Sequence, residues 1–148
     1  MIIDPTGLDE IQDTLKSLEN KTDDIKPLLK ELANHLYNGV KYNFENQVTP
    51  DGESWTPIKF RKTDNTPSKI LYDHGHMQKT LYAKTYKHSL TLGINATSNG
   101  YAYPLVHQFG TKDKTTPARA FMPIKLNGSL YDGVEKELDE IIEEYITI

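Results

Sequence analysis

The sequence contains no cysteine and a single tryptophan among its 148 residues. Without cysteine the chain can form no disulfide, offers no thiolate nucleophile and cannot build a zinc site of the cysteine type. Its apolar runs are a few residues long, well short of the roughly 20 residues of a membrane-spanning helix. The first residues also lack the basic and apolar segments of a signal peptide. We therefore expect a protein without membrane contact that starts in a reducing cytoplasm.

Motifs for nucleotide binding and nucleophilic catalysis are missing as well. The chain has no G-x-x-x-x-G-K-[ST] or G-x-G-x-x-G loop for phosphates and no G-x-S-x-G nucleophile elbow. Its carboxylates concentrate on the terminal helical segments, where a solvated helix face explains them without an acid–base pair. We expect no enzymatic activity and no cofactor.

The histidines offer one candidate metal cluster, Asp73-His74-x-His76. A tetrahedral site would need a third ligand, for which His88 and His107 are the candidates, and no HExxH-type spacing supports it. The alternative is a solvent-facing histidine pair at the start of a helix. We favour this alternative and predict no metal site, while a metal-dependent enzyme at His74 and His76 stays the weaker hypothesis.

The charges are divided into three blocks along a chain whose length predicts one domain, residues 1–148. Residues 1–58 carry five lysines and eleven acidic residues, for a net charge of −6. Residues 59–125 carry eleven basic and three acidic residues, for +8, and residues 126–148 carry one lysine and seven acidic residues, for −6. A basic middle between acidic ends can attract either a polyanion or the acidic surface of another copy, or its charges can pair within the fold.

Apolar residues at helical spacing predict two N-terminal amphipathic helices, the first beginning near Gly7 and the second, longer one running from about Asp24 to about Asn46. The turn tripeptide Pro50-Asp51-Gly52 should end the long helix. We expect Trp55 to pack against that helix end and not to form a ligand-stacking platform. A final acidic amphipathic helix should follow a capping turn, Asn127-Gly128-Ser129.

The middle of the chain predicts a small, mostly antiparallel sheet, which makes the fold class α+β. We expect a short helix from His74 to Ala83. The alternation from Thr85 to Ile94 is typical of a strand, which either runs on from Leu81 or forms part of a hairpin. Ala118 to Ile124 also alternates, with Pro123 indicating a sheet edge or a strand end.

Two polar segments are predicted to be mobile loops, one at about 56–68 and one at about 111–116. The first should expose Arg61 and Lys62. The second follows a short helix from about Tyr101 to about Phe109 and lies between Gly110 and Pro117, with hydrophobic anchors at both ends. Such a loop suits contact with a partner better than catalysis.

Several separated pieces together resemble one family, the phage virion morphogenesis proteins, which are tail completion proteins of contractile-tailed phages and prophages. The pieces are, in chain order, Phe44-x-x-Gln47, Pro50-Asp51-Gly52-x-x-Trp55-x-Pro57, Ile70-Leu71-x-x-x-Gly75-x-Met77, Leu92-Gly93, Tyr101-Ala102, His107-Gln108-Phe109-Gly110 and Pro117-Ala118-Arg119-x-Phe121. The chain departs from the family pattern at Asp73-His74-Gly75-His76-Met77 and at Ala120, where proline is common.

The resemblance implies a structural role without a reaction. The protein would complete the tail and help to join tail to head as one copy in a homo-oligomeric ring. Its partners would be the tail tube or tail terminator and head–tail connector proteins, with non-specific contact to passing DNA. It would be located in the host cytoplasm during assembly and then in the tail or neck of the virion.

The resemblance also assigns roles to single residues. The fold-defining positions would be Trp55, Gly75, His107, Phe109, Gly110 and Phe121, so that His107 belongs to a helix end and not to a catalytic site. The candidate contact residues are Arg61, Lys62, Lys112, Lys114 and Arg119. The alternative function is a nucleic-acid-binding accessory protein of a mobile element, which the basic middle of the chain favours and the sequence pI near 5.7 disfavours.

Overall fold

The computed structural model describes residues 9–20, 24–57, 76–97, 103–113 and 115–147. Over these residues the chain forms five helices and two strands, and the architecture is the predicted α+β class with helices at both ends. The elements are α1 (Asp9–Glu19), α2 (Lys26–Asn46), α3 (His76–Lys79), β1 (Leu81–Thr85), β2 (Leu90–Ile94), α4 (Tyr103–Phe109) and α5 (Asp132–Thr147).

The long helix α2 is the spine of the fold, as its apolar spacing predicts. Its 21 residues correspond to a length of about 31 Å at 1.5 Å per residue. Pro27 lies in the first turn, where its missing N–H costs no helical hydrogen bond. The helix ends at Asn46 because Gln47 adopts a left-handed conformation, with φ of 53°. The predicted turn follows at once, since Gly52 N donates to Thr49 O at 2.8 Å.

Two hydrophobic clusters pack against different parts of α2. The first contains Val40 and Phe44 from the second half of the helix, together with Trp55, Met77, Leu81, Ile94, Ala96, Phe121, Met122 and Ile124. The second contains Leu28 and Leu32 from the first half, together with Ile11, Leu130, Leu138 and Ile142. Fully burying one such side chain stabilises a fold by about 1.5–3 kcal/mol. Helix α2 therefore links the two clusters, and α1 and α5 pack mainly beside its first half.

The sheet is a two-stranded antiparallel hairpin. Leu81 is paired with Ile94 and Thr85 with Leu90, so the apolar residues at alternate positions share the face that packs on α2. Of the two alternatives left open for this region, the hairpin is correct. The predicted helix His74–Ala83 is too long at its C-terminal end, because the chain is already a β-strand at Leu81. Residues 58–75 lie outside the described part of the chain, so the predicted arm at 56–68 has no structural description beyond Pro57.

Two further predictions are wrong in detail. Residues 118–124 do not form a strand, and their one strand-like contact is the isolated bridge between Ile124 and Leu130. The final helix begins at Asp132 and is not capped by Ser129. Ser129 instead completes the preceding turn, where its backbone N–H and its hydroxyl both donate to Asn127 Oδ1, at 3.0 and 2.6 Å. None of the described helices is long and apolar enough to cross a membrane.

Candidate functional site

Residues 118–124, which we call the central segment, are held by side chains from several parts of the fold. Most of the hydrogen bonds to its backbone come from side chains. The alternation seen in the sequence does not become alternate burial, since residues 119–122 are all buried. The side chain of Gln108, on α4, is the chief partner and is 2% exposed. Its Oε1 accepts from the N–H groups of Phe121 and Met122, both at 2.9 Å. Its Nε2 donates to the carbonyls of Met122 and Ile124, at 3.1 and 3.0 Å.

This one amide thus has both donor hydrogens and both acceptor lone pairs engaged, which is the full capacity of a glutamine side chain. Two more side chains hold the same segment from the spine and from the turn beyond it. Asn43 Nδ2 donates to Phe121 O at 3.0 Å, and Trp55 Nε1 donates to Ala120 O at 2.8 Å. Six backbone groups between Ala120 and Ile124 are therefore bonded by side chains in place of a neighbouring strand.

Aromatic packing fixes the other side of the central segment. The ring of Phe121 stacks on that of Phe44 with centroids 5.0 Å apart and planes at 27°, and Trp55 meets Phe44 edge-on at 5.9 Å. Both geometries are the favourable ones for aromatic pairs. Trp55 is buried here at the C-terminal part of α2, as the sequence predicts. Phe109 packs against the same cluster.

Gly110 ends α4 in a conformation that requires glycine. Its φ is +73°, and a Cβ at this position would lie 2.9 Å from the backbone nitrogen of Ala118. Real Cβ atoms do not approach backbone that closely, so the close contact between the chain at Gly110 and the chain at Ala118 depends on glycine having no side chain. This contact brings the end of α4 against the start of the central segment, where Arg119 N donates to His107 O at 2.7 Å.

Arg119 has an intramolecular role. Its side chain is 9% exposed, and the guanidinium donates through Nε to Thr56 O at 2.8 Å and through Nη2 to Pro57 O at 3.3 Å. It therefore ties the central segment to the chain that leaves Trp55. As a contact to another molecule, Arg119 stays a prediction, and its burial gives it less surface than that prediction assumed.

His107 lies half-buried beside Tyr103 and Arg119. Its ring meets the Tyr103 ring edge-on at 6.1 Å, and its Nδ1 is buried without a hydrogen-bond partner among the described residues. Burial, and next the Arg119 charge, lower the pKa of His107 below the ordinary value of 6.5. The imidazole is therefore neutral at pH 7 and acts as a packing group at the end of α4.

The loop after Gly110 is organised by the carboxylate of Asp113. Its Oδ1 accepts from Thr111 Oγ1 at 2.7 Å and from Thr115 N and Oγ1 at 3.1 and 2.8 Å. These bonds, the one from Thr111 foremost, lower the pKa of Asp113. Thr111 N also donates to Thr116 O at 3.0 Å, which closes the turn. The predicted mobility of this loop stays a prediction.

Of the remaining predicted site residues, only Lys112 lies in the described part of the chain. Lys112 is exposed at the loop tip. Arg61, Lys62, Gly75 and Lys114 lie outside the described residues, as do His74 and the side chain of His76. The described residues contain no group of three or more metal-ligating side chains. His88 faces Glu19, whereas His107 packs against Tyr103.

Asn43 was not predicted as a site residue, although it breaks the apolar pattern of α2 between Val40 and Phe44. A polar residue at a core-facing helical position is a signal for a buried hydrogen bond. A second unpredicted feature is a groove beside Gly39, between α2, α5 and the 49–52 turn, which Phe121 and Pro123 also line.

The chain is similar to known proteins over most of its length. The model of the phage virion morphogenesis family matches residues 7–147, nearly the whole chain. A protein of Methanocaldococcus jannaschii, named Uncharacterized protein MJ0331, is 29% identical over 126 residues, which cover 82% of this chain and 89% of that protein. No solved structure gives a significant match.

Proposed function

The chain belongs to the phage virion morphogenesis family, and we propose that within this structural role it completes the tail and helps to join the tail to the head. The observation that carries the proposal is the extent of the family match, from residue 7 to residue 147, which includes the central segment and every described helix. Virion assembly is the role of the family. Tail completion and head–tail joining are our proposal for this chain.

The described geometry supports a structural role. The motif around His107 uses its polar atoms to hold backbone, with Gln108 and Arg119 both buried. The histidine itself is held neutral and packs against Tyr103. We propose accordingly that the protein is not an enzyme and needs no cofactor, and that it acts through its surface.

We further propose that it acts as a homo-oligomeric ring at the end of the tail. Support comes from charge: exposed carboxylates cover α5, whereas exposed lysines lie on the hairpin and on the loop after α4. Surfaces of opposite charge at separate places on one chain favour head-to-tail contacts, which close into a ring when the rotation permits. Partners beyond the ring would be the tail tube or tail terminator and the head–tail connector, and the protein would pass from the host cytoplasm into the neck of the virion.

A deletion and add-back experiment tests this function. Removing the gene from the phage or prophage that encodes the protein should leave heads and tails unjoined in electron micrographs, and purified protein added to the lysate should restore joined particles. The variant Lys112→Glu should restore fewer particles because it reverses a charge in the proposed contact loop. Lys41→Glu, an exposed charge reversal on α2, is the matched control and should restore joining fully. Intact, infectious particles formed without the protein would overturn the proposal.

A nucleic-acid-binding accessory protein is the second candidate, favoured by one feature of the hairpin. Lys84 and Lys87 are exposed next to Tyr82 and Tyr86, and Lys84 Nζ lies 5.4 Å from the centre of the Tyr82 ring. Lysines beside aromatic rings suit a phosphate backbone with stacked bases. This function predicts duplex or single-strand binding that weakens steeply with salt and is lost on charge reversal at Arg61 and Lys62.

A further inference from the structure

The groove beside Gly39 is an open, mainly apolar depression of about 270 Å³. Gly39 lies where a side chain would meet nothing within 4 Å, so the glycine leaves the surface of α2 bare in the middle of the helix. Pro50 and Pro123 line the groove with it, and Tyr42 lies at its rim with 59% of its surface exposed. The volume is below the roughly 300–1,000 Å³ typical of small-molecule sites and suits one large side chain.

An acidic trough continues from one end of this groove. The two depressions share His35 and Glu137, whose Nε2 and Oε2 are 2.8 Å apart, and the trough is then lined by Glu140, Glu143 and Glu144. Within the described residues these last three carboxylates have no ion pair. Glu144 lies in the last turn of α5, where the helix dipole disfavours negative charge, and Glu140 lies one turn before it. A cationic surface placed over the trough would offset both the unfavourable dipole at Glu144 and the repulsion between Glu140 and Glu144.

The hairpin tip, residues 84–89, has the complementary properties. Tyr86 is 51% exposed, and Lys84 and Lys87 on either side of it are exposed too. The tip is a held turn, because Tyr86 N donates to Ser89 O at 2.7 Å and His88 faces Glu19 on α1. An exposed tyrosine with flanking cations is the type of side-chain set that anchors protein interfaces.

We propose that the hairpin tip of one copy docks on the groove and trough of the next copy, with Tyr86 entering beside Gly39 and Lys84 and Lys87 over the carboxylates of α5. This contact rests on the proposed oligomeric function and identifies its surfaces. The tip lies against the end of α1, whereas the groove lies between α5 and the turn after α2. Tip and groove are thus separate patches, and their contact is heterologous, which propagates from copy to copy.

Disulfide cross-linking tests the contact directly, because the chain has no cysteine of its own. Two single variants are made, Tyr42→Cys at the groove rim and Ser89→Cys at the tip, which keep Gly39 and Tyr86 intact. Mixed and oxidised at low salt after nuclease treatment, they should give a mixed dimer in clear excess over the dimers that either variant forms alone. A mixture of Ser89→Cys with Gly133→Cys, an open position on α5 outside the groove, is the control and should give no such excess.

Blocking variants give the test its specificity. Gly39→Gln in the Tyr42→Cys chain fills the groove, and Tyr86→Ser in the Ser89→Cys chain removes the anchor. Each should lower the mixed-dimer yield at limiting concentration by about tenfold or more, the scale on which interface anchors contribute. Glutamine is a better helix former than glycine, so Gly39→Gln should melt no lower than its parent, and the lost yield is then not unfolding. Gly133→Gln is the matched change that should leave the yield intact.

The outcomes separate docking from function. No excess of mixed dimer, or an excess that Gly39→Gln and Tyr86→Ser both leave unchanged, overturns the docking. The docking is also overturned if the double variant Lys84→Glu/Lys87→Glu loses DNA binding while its cross-linking yield is unchanged, since the hairpin tip would then be a nucleic-acid surface. If cross-linking fails while the protein still restores tail joining, docking alone is wrong. If cross-linking succeeds but deletion leaves particles intact, docking stands and the proposed function is wrong.

Discussion

Replacing Gln108 by leucine should remove the main support of the central segment. The four hydrogen bonds of the Gln108 amide, at 2.9–3.1 Å, all go to backbone groups of buried residues. A net contribution of about 0.5–1.5 kcal/mol per bond gives about 2–6 kcal/mol in total. We expect a loss near the middle of that range, about 3–5 kcal/mol, since leucine restores some apolar contact but leaves donors and acceptors unpaired. Against a typical domain stability of about 5–15 kcal/mol, this is a large fraction.

Gln108→Glu makes a sharper version of the same test because its effect depends on pH. One carboxylate oxygen can still accept from Phe121 and Met122, but the other faces two carbonyls to which it cannot donate. Burial and this repulsion raise the pKa of the new carboxyl above the usual Glu value of about 4.3. A raised folded-state pKa means that the acid form fits better, so the deficit relative to wild type should shrink as pH falls through the folded pKa. Recovery stays partial because one proton serves one of the two carbonyls.

The assay is urea unfolding followed by the fluorescence of Trp55, the single tryptophan, whose indole bonds to Ala120 in the same segment. Wild type, Gln108→Leu and Gln108→Glu are compared at each pH, so that acid effects elsewhere cancel. The leucine variant should show a constant deficit and the glutamate variant a deficit that narrows in acid. A loss of unfolding free energy below about 1 kcal/mol for Gln108→Leu, the size of a single net hydrogen bond, would refute the reasoning. So would a deficit for Gln108→Glu that does not change with pH.

Three further predictions address the residues around Gln108. Gly110→Ala should destabilise the fold more than Gly52→Ala. Both glycines have positive φ, which costs an L-residue about 1–2 kcal/mol, but only at Gly110 would a Cβ also lie 2.9 Å from a backbone atom. Equal losses of stability in urea unfolding would contradict this steric effect. Arg119→Lys should lower the free energy of unfolding by about 1.5–3 kcal/mol, the value of hydrogen bonds to a charged group. One ammonium cannot reproduce the two bonds that the guanidinium donates to Thr56 O and Pro57 O. Unchanged stability with lost tail joining would make Arg119 a contact residue instead. The His107 ring should titrate by NMR with a midpoint below 6.5. Because the pKa of His107 is lower in the folded state than in the unfolded state, the free energy of unfolding should decrease as pH falls from 6.5 toward the folded pKa. His107→Phe should remove this pH-dependent loss.

Much of the helical framework could be predicted from the sequence because its signals are local. The apolar spacing of α2 and the Pro50-Asp51-Gly52 turn place the spine and its end to within about two residues. The hairpin, too, was one of the alternatives that the alternation from Thr85 to Ile94 allowed. Such features depend on residues that are close neighbours in the chain, so pattern and propensity decide them.

The central segment could not be predicted in the same way, because its partners are distant or unusual. Its alternation is that of a strand, yet the groups that satisfy it are the amide of Gln108, 13–16 residues away, and Asn43, 78 residues away. No sequence pattern distinguishes an extended segment bonded to side chains from one bonded to another strand. The burial of Arg119 is not predictable for a related reason, since the carbonyls that bind it belong to Thr56 and Pro57, more than 60 residues earlier in the chain.

The buried hydrogen-bond cluster and the open groove share one stretch of chain. Phe121 and Pro123 line the groove, and the backbone of Phe121 is bonded by Asn43 at its carbonyl and by Gln108 at its N–H. A surface whose base is fixed before binding loses little conformational freedom when a partner arrives, so more of the contact energy appears as affinity. The hydrogen bonds of Asn43 and Gln108 therefore fix a backbone segment that lines the proposed docking groove.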